Sequence, residues 1–425
     1  MSGLTISMYS KGVITVKELY SKRIKQTSIN ISGSKIESVR GKDISKTGLR
    51  IYKNGVIGVA GAIGSFSMDE LEMRAGNALR ANVEYPYQLT SNRTEDVDLT
   101  KEIIREDSFV DEIENILEHL SGSQKGFIFS NKINMDTVNV SLCNDCNLNL
   151  NYSDRAIDMS LVFKEKASSN IMDGFIAFQD RKYDRDSFIS MADEILNSYN
   201  NKLDFTEGTY PVVFLTIDHT PLIKFMTDLN GRDFGTGSSL FAGKLDKKIF
   251  NDSFTLYNSM NPADIYLAPF FDAEGAVNEN YRYPLIENGV LKAANTDKKF
   301  SALYNLPYTG SAVSDYDSTP QPGFAQLKVK ECERTAKELL GGDKGIVVIM
   351  ASGGDFTPEG NFATPVQLAY LFDGDKLIGR LPELQVTSNV FDMFGNGFRG
   401  VSRNDIWPLG GIKSMILDMK ASKIG

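Results

Sequence analysis

Cysteine, histidine and tryptophan are scarce in this chain: 425 residues hold three cysteines, two histidines and one tryptophan. Three thiols, few and odd in number, make no disulfide framework and fit a reducing compartment, so the sequence places the protein in the cytoplasm. No apolar run is long enough to span a bilayer, and no membrane partner is expected. The first residues, MSGLTISMYSKGVITVKELY, carry no apolar core behind a basic start and do not read as a signal peptide. Positive charge is outnumbered, with 46 Lys and Arg against 55 Asp and Glu and a net charge of −9. A phosphate-binding surface needs clustered cations, so direct nucleic-acid contact is not expected. No repeat of fixed period and no low-complexity segment is present.

What is there is an ordinary globular composition, 41% hydrophobic and 24% charged, in a chain long enough for two domains. SINISGSKIESV alternates apolar and polar residues around Ser32-Gly33-Ser34, and GLRIYKNGVIGVAGA does so around Asn54-Gly55. Both read as hairpins. Ser67 and Glu70 form a capping-box pair ahead of Leu71, Ala75, Ala78 and Leu79 at helical spacing. A second helix carries Val110, Ile113, Ile116, Leu117 and Leu120, and a third Phe188, Ala192, Ile195, Leu196 and Tyr199. Strands FIFSNKI, TVNVSL and DMSLVFKE lie between them.

SYNNKLDFTEG, ending at Gly208, is polar and turn-rich and marks a boundary. Beyond it come a strong strand, TYPVVFLTI, a short helix, and a second helix at LKVKECERTAKELL. The remaining strands are FTLYN, YLAPF, YPLIENGVLKAA, GIVVIMA and VQLAYLFDGDKLIGRLPELQVTS. The expectation is an α+β protein: a mixed α/β domain over residues 1–205, then a β-rich, barrel-like or sandwich-like domain over 206–425.

Candidate chemistry is thin. Cys143 and Cys146 form a C-x-x-C, but no second C-x-x-C or H-x-x-H completes a zinc site, and Cys143 closes a strand instead of opening a helix. The pair reads as two thiols in a turn. Cys332 falls in a charged helix and reads as inert. His119 sits near a helix C-terminus, where the dipole favours it. His219 follows Asp218 on extended chain, where neighbours point opposite ways and rarely cooperate. Asp272 and Glu274, in FFDAEG, have the spacing for acid–base work, though solvated loop acids are the commoner case. GRDFGTG and ASGGDF lack the features of phosphate or dinucleotide loops. From these residues no catalytic, cofactor-binding or metal role is assigned.

Asp272-Ala-Glu274-Gly275, then Pro284 to Leu291, then Thr309-Gly310 stand in an order that resembles the TldD/PmbA family. VTSNVFDMFGNGFRGVSRND near residue 400 agrees, as does the strand and Ala-rich helix around GLRIYKNGVIGVAGA. LCNDCNLNL sits where many members read Asn-Ser-x-Gly, with Asn147 in place of Gly, and Asn tolerates positive φ. The family has metal-bearing TldD-type chains, with a His-Glu-x-x-x-His helix, and PmbA-type (TldE) chains without it. That helix falls within Pro221–Asn230, which reads PLIKFMTDLN and holds neither His nor Glu. The resemblance therefore implies a PmbA/TldE-type chain with no cofactor of its own. Zinc is expected in a TldD-type partner, and the substrate in a peptide or unfolded polypeptide. The rivals are a peptide-binding homodimer and an independent metal-free hydrolase.

Overall fold

A computed structural model describes residues 15–324 and 326–424. The chain opens with three antiparallel strands, β1 (Thr15–Ser32), β2 (Lys35–Lys53) and β3 (Val56–Ile63). Their turns are Gly33-Ser34 and Asn54-Gly55, all four residues at positive φ, as the turn chemistry predicts. Helix α1 (Met68–Ala78), capped by Ser67, packs Leu71 and Ala75 against this ribbon. Two short edge strands follow, β4 (Val83–Glu84) and β5 (Arg93–Leu99), then helix α2 (Phe109–Ser123). β6 (Phe127–Asn144) and β7 (Leu148–Glu165) form a long hairpin joined at Asn147, whose φ is +60°. β8 (Gly174–Asp180) and helix α3 (Arg185–Asn200) complete the layer. The sheet order is β4-β3-β2-β1-β6-β7-β5, with β8 also on β7.

The second half begins with β9 (Gly208–Leu215), two short helices, α4 (Ile223–Asp228) and α5 (Gly231–Thr236), and the small sheet of β10 (Leu256–Ser259), β11 (Arg282–Glu287) and β12 (Val290–Leu291). The β11–β12 turn, Asn288-Gly289, has φ of +48° and +77°. After α6 (Lys298–Tyr304) come β13 (Ala312–Val313), β14 (Gln321–Pro322) and β15 (Leu327–Val329), the last pairing with β10. Helix α7 (Ala336–Leu340) leads to β16 (Gly345–Ala351), β17 (Asp355–Phe356), β18 (Asn361–Phe372), β19 (Leu377–Arg380) and β20 (Leu384–Asn389). Helix α8 (Val390–Met393), β21 (Phe398–Asp405) and β22 (Lys413–Lys423) finish the described chain.

Pairing runs β16-β9-β22-β20-β18, and β18 returns to β16, closing a five-stranded barrel. Only β9 and β16 of these neighbours run parallel. Side chains alternate across a strand, so each barrel strand serves two cores. Val212, Phe214, Ile346, Val348 and Val366 join one apolar cluster with Phe225, Phe241 and Phe254. Val213, Leu215, Val347, Leu368 and Tyr370 join another with α2, α3 and β6 to β8. A second tie between the halves is a loop between β13 and β14: the backbone of Tyr316 rests on Gly48, where an added Cβ would lie 1.6 Å from its carbonyl oxygen.

The fold is α+β with the barrel expected as one of two forms. Two local expectations are corrected. YLAPF is not a strand: Leu267 has φ +58° and its N–H donates to the Asp154 carboxylate at 2.6 Å, so the segment turns to meet the first sheet. LKVKECERTAKELL is not one helix. Its first residues pair as β15, and a Thr335–Glu338 capping box starts α7 only at Ala336. Cys332 thus lies ahead of the helix, not within it.

Candidate functional site

The segment PLIKFMTDLN enters from β9 through a single turn at Thr220–Leu222 and becomes α4. Phe225 faces inward and is fully buried, with the rings of Phe241, Phe250, Phe254 and Phe394 at centroid distances of 4.9–5.6 Å. One turn apart on the same helix, Lys224 Nζ and Asp228 Oδ2 pair at 2.9 Å with about a tenth of each side chain exposed. Asp228 is committed further. Its Oδ1 accepts the Leu240 N–H at 2.5 Å and its Oδ2 the Thr227 hydroxyl at 2.9 Å, while Ser239 Oγ donates to its carbonyl. A cleft of about 520 Å³ opens over this pair, bounded by Asp233, Ser238, Asp355 and Pro358.

Zinc takes imidazole, thiolate and carboxylate donors with free lone pairs. α4 offers none: its one carboxylate is taken by an ammonium, a hydroxyl and an amide, and Lys224 would repel a divalent ion. Among the described residues no three of His, Cys, Asp and Glu converge as a ligand set. The residues of this helix do not fit the metal.

Asp272 and Glu274 are not solvated loop acids. Both are buried, at 5% and 3% exposure. Asp272 accepts backbone N–H groups from Glu274, Ala276 and Ala312 at 2.8–2.9 Å. Burial pushes its carboxyl up, against the pull of those three donors. Glu274 accepts from Tyr85 OH at 2.8 Å, the Lys298 N–H at 3.0 Å and Tyr308 OH at 3.3 Å. Burial first, and the neighbouring Asp272 second, push Glu274 up to about 7. Beside them Arg50, itself 1% exposed, pairs with Glu18 at 3.0 Å and donates to Ala273 O and Ser314 Oγ, both at 2.5 Å. Tyr52 also donates to Glu18. Glu18, Arg50, Tyr52 and Tyr85 come from the first sheet and its edge, the rest from the second half. The carboxylates therefore form a buried joint between the first sheet and the segment 272–314, with every oxygen held.

The other candidates are scattered. His219 Nε2 lies 3.2 Å from the Gln326 amide nitrogen, and burial lowers its pKa against the pull of Asp218. Asp218 acts on it only as a nearby charge, a smaller effect than burial, and Asp218 Oδ1 accepts the Thr220 N–H. His119 lies on α2, its Nε2 3.5 Å from Asp193. Cys143 and Cys146 are free thiols at the β6–β7 turn, and burial with Glu18 and Asp145 nearby pushes both up, away from the thiolate a nucleophile needs. The sequence reading missed the Lys224–Asp228 pair, although its i, i+4 spacing was legible.

Residues 207–417 match the PmbA/TldA metallopeptidase C-terminal domain, and residues 18–81 match PmbA/TldA metallopeptidase domain 1. Among solved structures the fold is similar to TldE from Thermococcus kodakarensis, with a TM-score of 0.74 and 18% identity over 96% of this chain and 95% of that one. It is also similar to a candidate modulator of a DNA gyrase from Thermotoga maritima MSB8, with a TM-score of 0.76 and 14% identity over 96% of each chain. At these identities the likeness is one of fold. A zinc metalloprotease TldD homolog of Saccharolobus solfataricus is 26% identical over 165 residues, 38% of this chain. The chain spans 36% of the length of that curated relative.

Proposed function

The chain belongs to the PmbA/TldD metallopeptidase family, and from that premise we propose that it is a metal-free subunit of a two-component peptidase. In this reading a TldD-type partner holds the zinc and this chain completes the cavity in which small or unfolded polypeptides are cleaved. One observation carries the proposal: the α4 helix face is filled by the Lys224–Asp228 ion pair. A hydrolysing site needs an activated nucleophile and stabilisation of the carbonyl oxygen. Neither the hydrogen-bonded carboxylates of the joint nor the two turn thiols supply that set. No helix among the described residues is long and apolar enough to cross a membrane. With three free cysteines, a cytoplasmic site of action completes the proposal.

The test is peptide cleavage read by mass spectrometry, with each chain alone and both together, and elemental analysis of the isolated chain. The isolated chain should leave unfolded peptides intact and carry no stoichiometric zinc. Adding it to its cognate TldD-type partner should raise a chelator-sensitive activity. Robust cleavage by the isolated chain in the presence of chelator would overturn the reading. So would a partner whose rate is unchanged by the mixture, the result expected of a peptide-binding homodimer.

A further inference from the structure

A cavity of about 740 Å³ opens where the loop 166–173 after β7, the end of α3 and the outer face of the barrel meet. It shares no lining residue with the α4 cleft. Met350, Leu368 and Leu381 give it an apolar wall. Two cations, Lys202 and Arg380, stand side by side on it, their backbones joined as a β-bridge. Among the described residues neither pairs with a carboxylate. The Arg380 guanidinium carbon instead lies 3.7 Å over the buried ring of Tyr199, which orients the cation without neutralising it.

The acids on this cavity do not fill that role. Asp173 is engaged by the Glu165 N–H, Ser168 Oγ and Asn170 Nδ2, and Glu383 is exposed at the rim. Gln367 Oε1 is buried without a hydrogen-bond partner, an acceptor left costly until something donates to it. Unneutralised cations, an unmet acceptor and an apolar wall together match one chemical group. We infer that this cavity binds the C-terminal residue of a peptide. Its carboxylate meets Arg380 and Lys202, its amide N–H meets Gln367 Oε1, and its apolar side chain lies on Met350, Leu368 and Leu381. The site rests on the cavity's own chemistry, so it stands or falls apart from the peptidase reading.

The experiment is isothermal titration calorimetry of the full chain with N-acetyl-Ala-Ala-Leu, with the same peptide as its C-terminal amide, and with octanoate. The free acid should bind, and the amide at least about tenfold more weakly, the loss expected when a charge-assisted hydrogen bond is removed. Arg380→Gln and Lys202→Gln should each weaken the acid by about tenfold and leave the amide unchanged. Lys202 is on the surface, so its variant separates binding from folding, and thermal unfolding checks both. Equal binding of acid and amide, no binding at millimolar peptide, or unchanged affinity in Lys202→Gln would each overturn the site. Octanoate binding as tightly as the peptide would overturn the choice of ligand.

Discussion

A single carboxyl, Glu274, links the chemistry of the joint to the stability of the protein. Its folded pKa is raised from 4.5 to about 7, so the folded state holds a proton that the unfolded chain has released. Its contribution to stability is full below about pH 4.5 and is lost as pH rises through about 7. Glu274→Gln removes that titration and keeps a polar group opposite Tyr85. Urea unfolding followed across this window should show the wild type weakening with rising pH and the variant weakening less. An identical pH slope for both would place the raised carboxyl elsewhere. The burial of Asp272 and Glu274 was not legible in FFDAEG. Their spacing suits a turn, but what makes the turn dry is Tyr85, 189 residues earlier, and Arg50 beyond it. Asn147 was legible, because its φ of +60° is a local property of the β6–β7 turn.

At the level of elements, turn chemistry read well and strand length did not. Asn54-Gly55 forms its turn as written, and Asn288-Gly289 turns β11 into β12 with both residues at positive φ. FIFSNKI and TVNVSL, read as separate strands, are one 18-residue strand, because Asn134, Met135 and Asp136 between them still pair with β1. Helix α4 was placed correctly and the spacing of Lys224 and Asp228 was there to read, but their burial shows only once the helix is folded against β17. That pair has a measurable cost of removal. Lys224→Met leaves Asp228 as a largely buried anion without its cation, which should destabilise the fold by about 3 kcal/mol. Adding Asp228→Asn should recover part of the loss, since an amide oxygen can still accept the Leu240 N–H. Chemical denaturation of both variants decides it. An unchanged midpoint for Lys224→Met would mean that the pair is an incidental surface contact.

At the level of the whole molecule, the β-rich character of the second half was legible from its Gly turns and apolar strands, but closure was not: nothing local tells β18 to return to β16. Nor does local pattern show that the barrel's outer face is a core face. Val213, Leu215, Val347 and Leu368 pack on α3 and the first sheet. Residues 206–424 produced alone should therefore expose a continuous apolar face and fail to give a cooperative unfolding transition by circular dichroism. A sharp, reversible transition for that fragment would show that the barrel is self-sufficient. Barrel closure also has a consequence in time. β9 is the first barrel strand to be made, and β22, which lies between β9 and β20, is the last. About 200 residues separate them, so at roughly 5–20 residues per second the ribosome leaves the apolar edge of GTYPVVFL unpaired for on the order of 10–40 s. An unpaired, hydrophobic strand edge invites intermolecular pairing. From the emergence of β9 to that of β22, then, the nascent chain presents a segment for a chaperone to hold, and slowing translation between them lengthens that exposure.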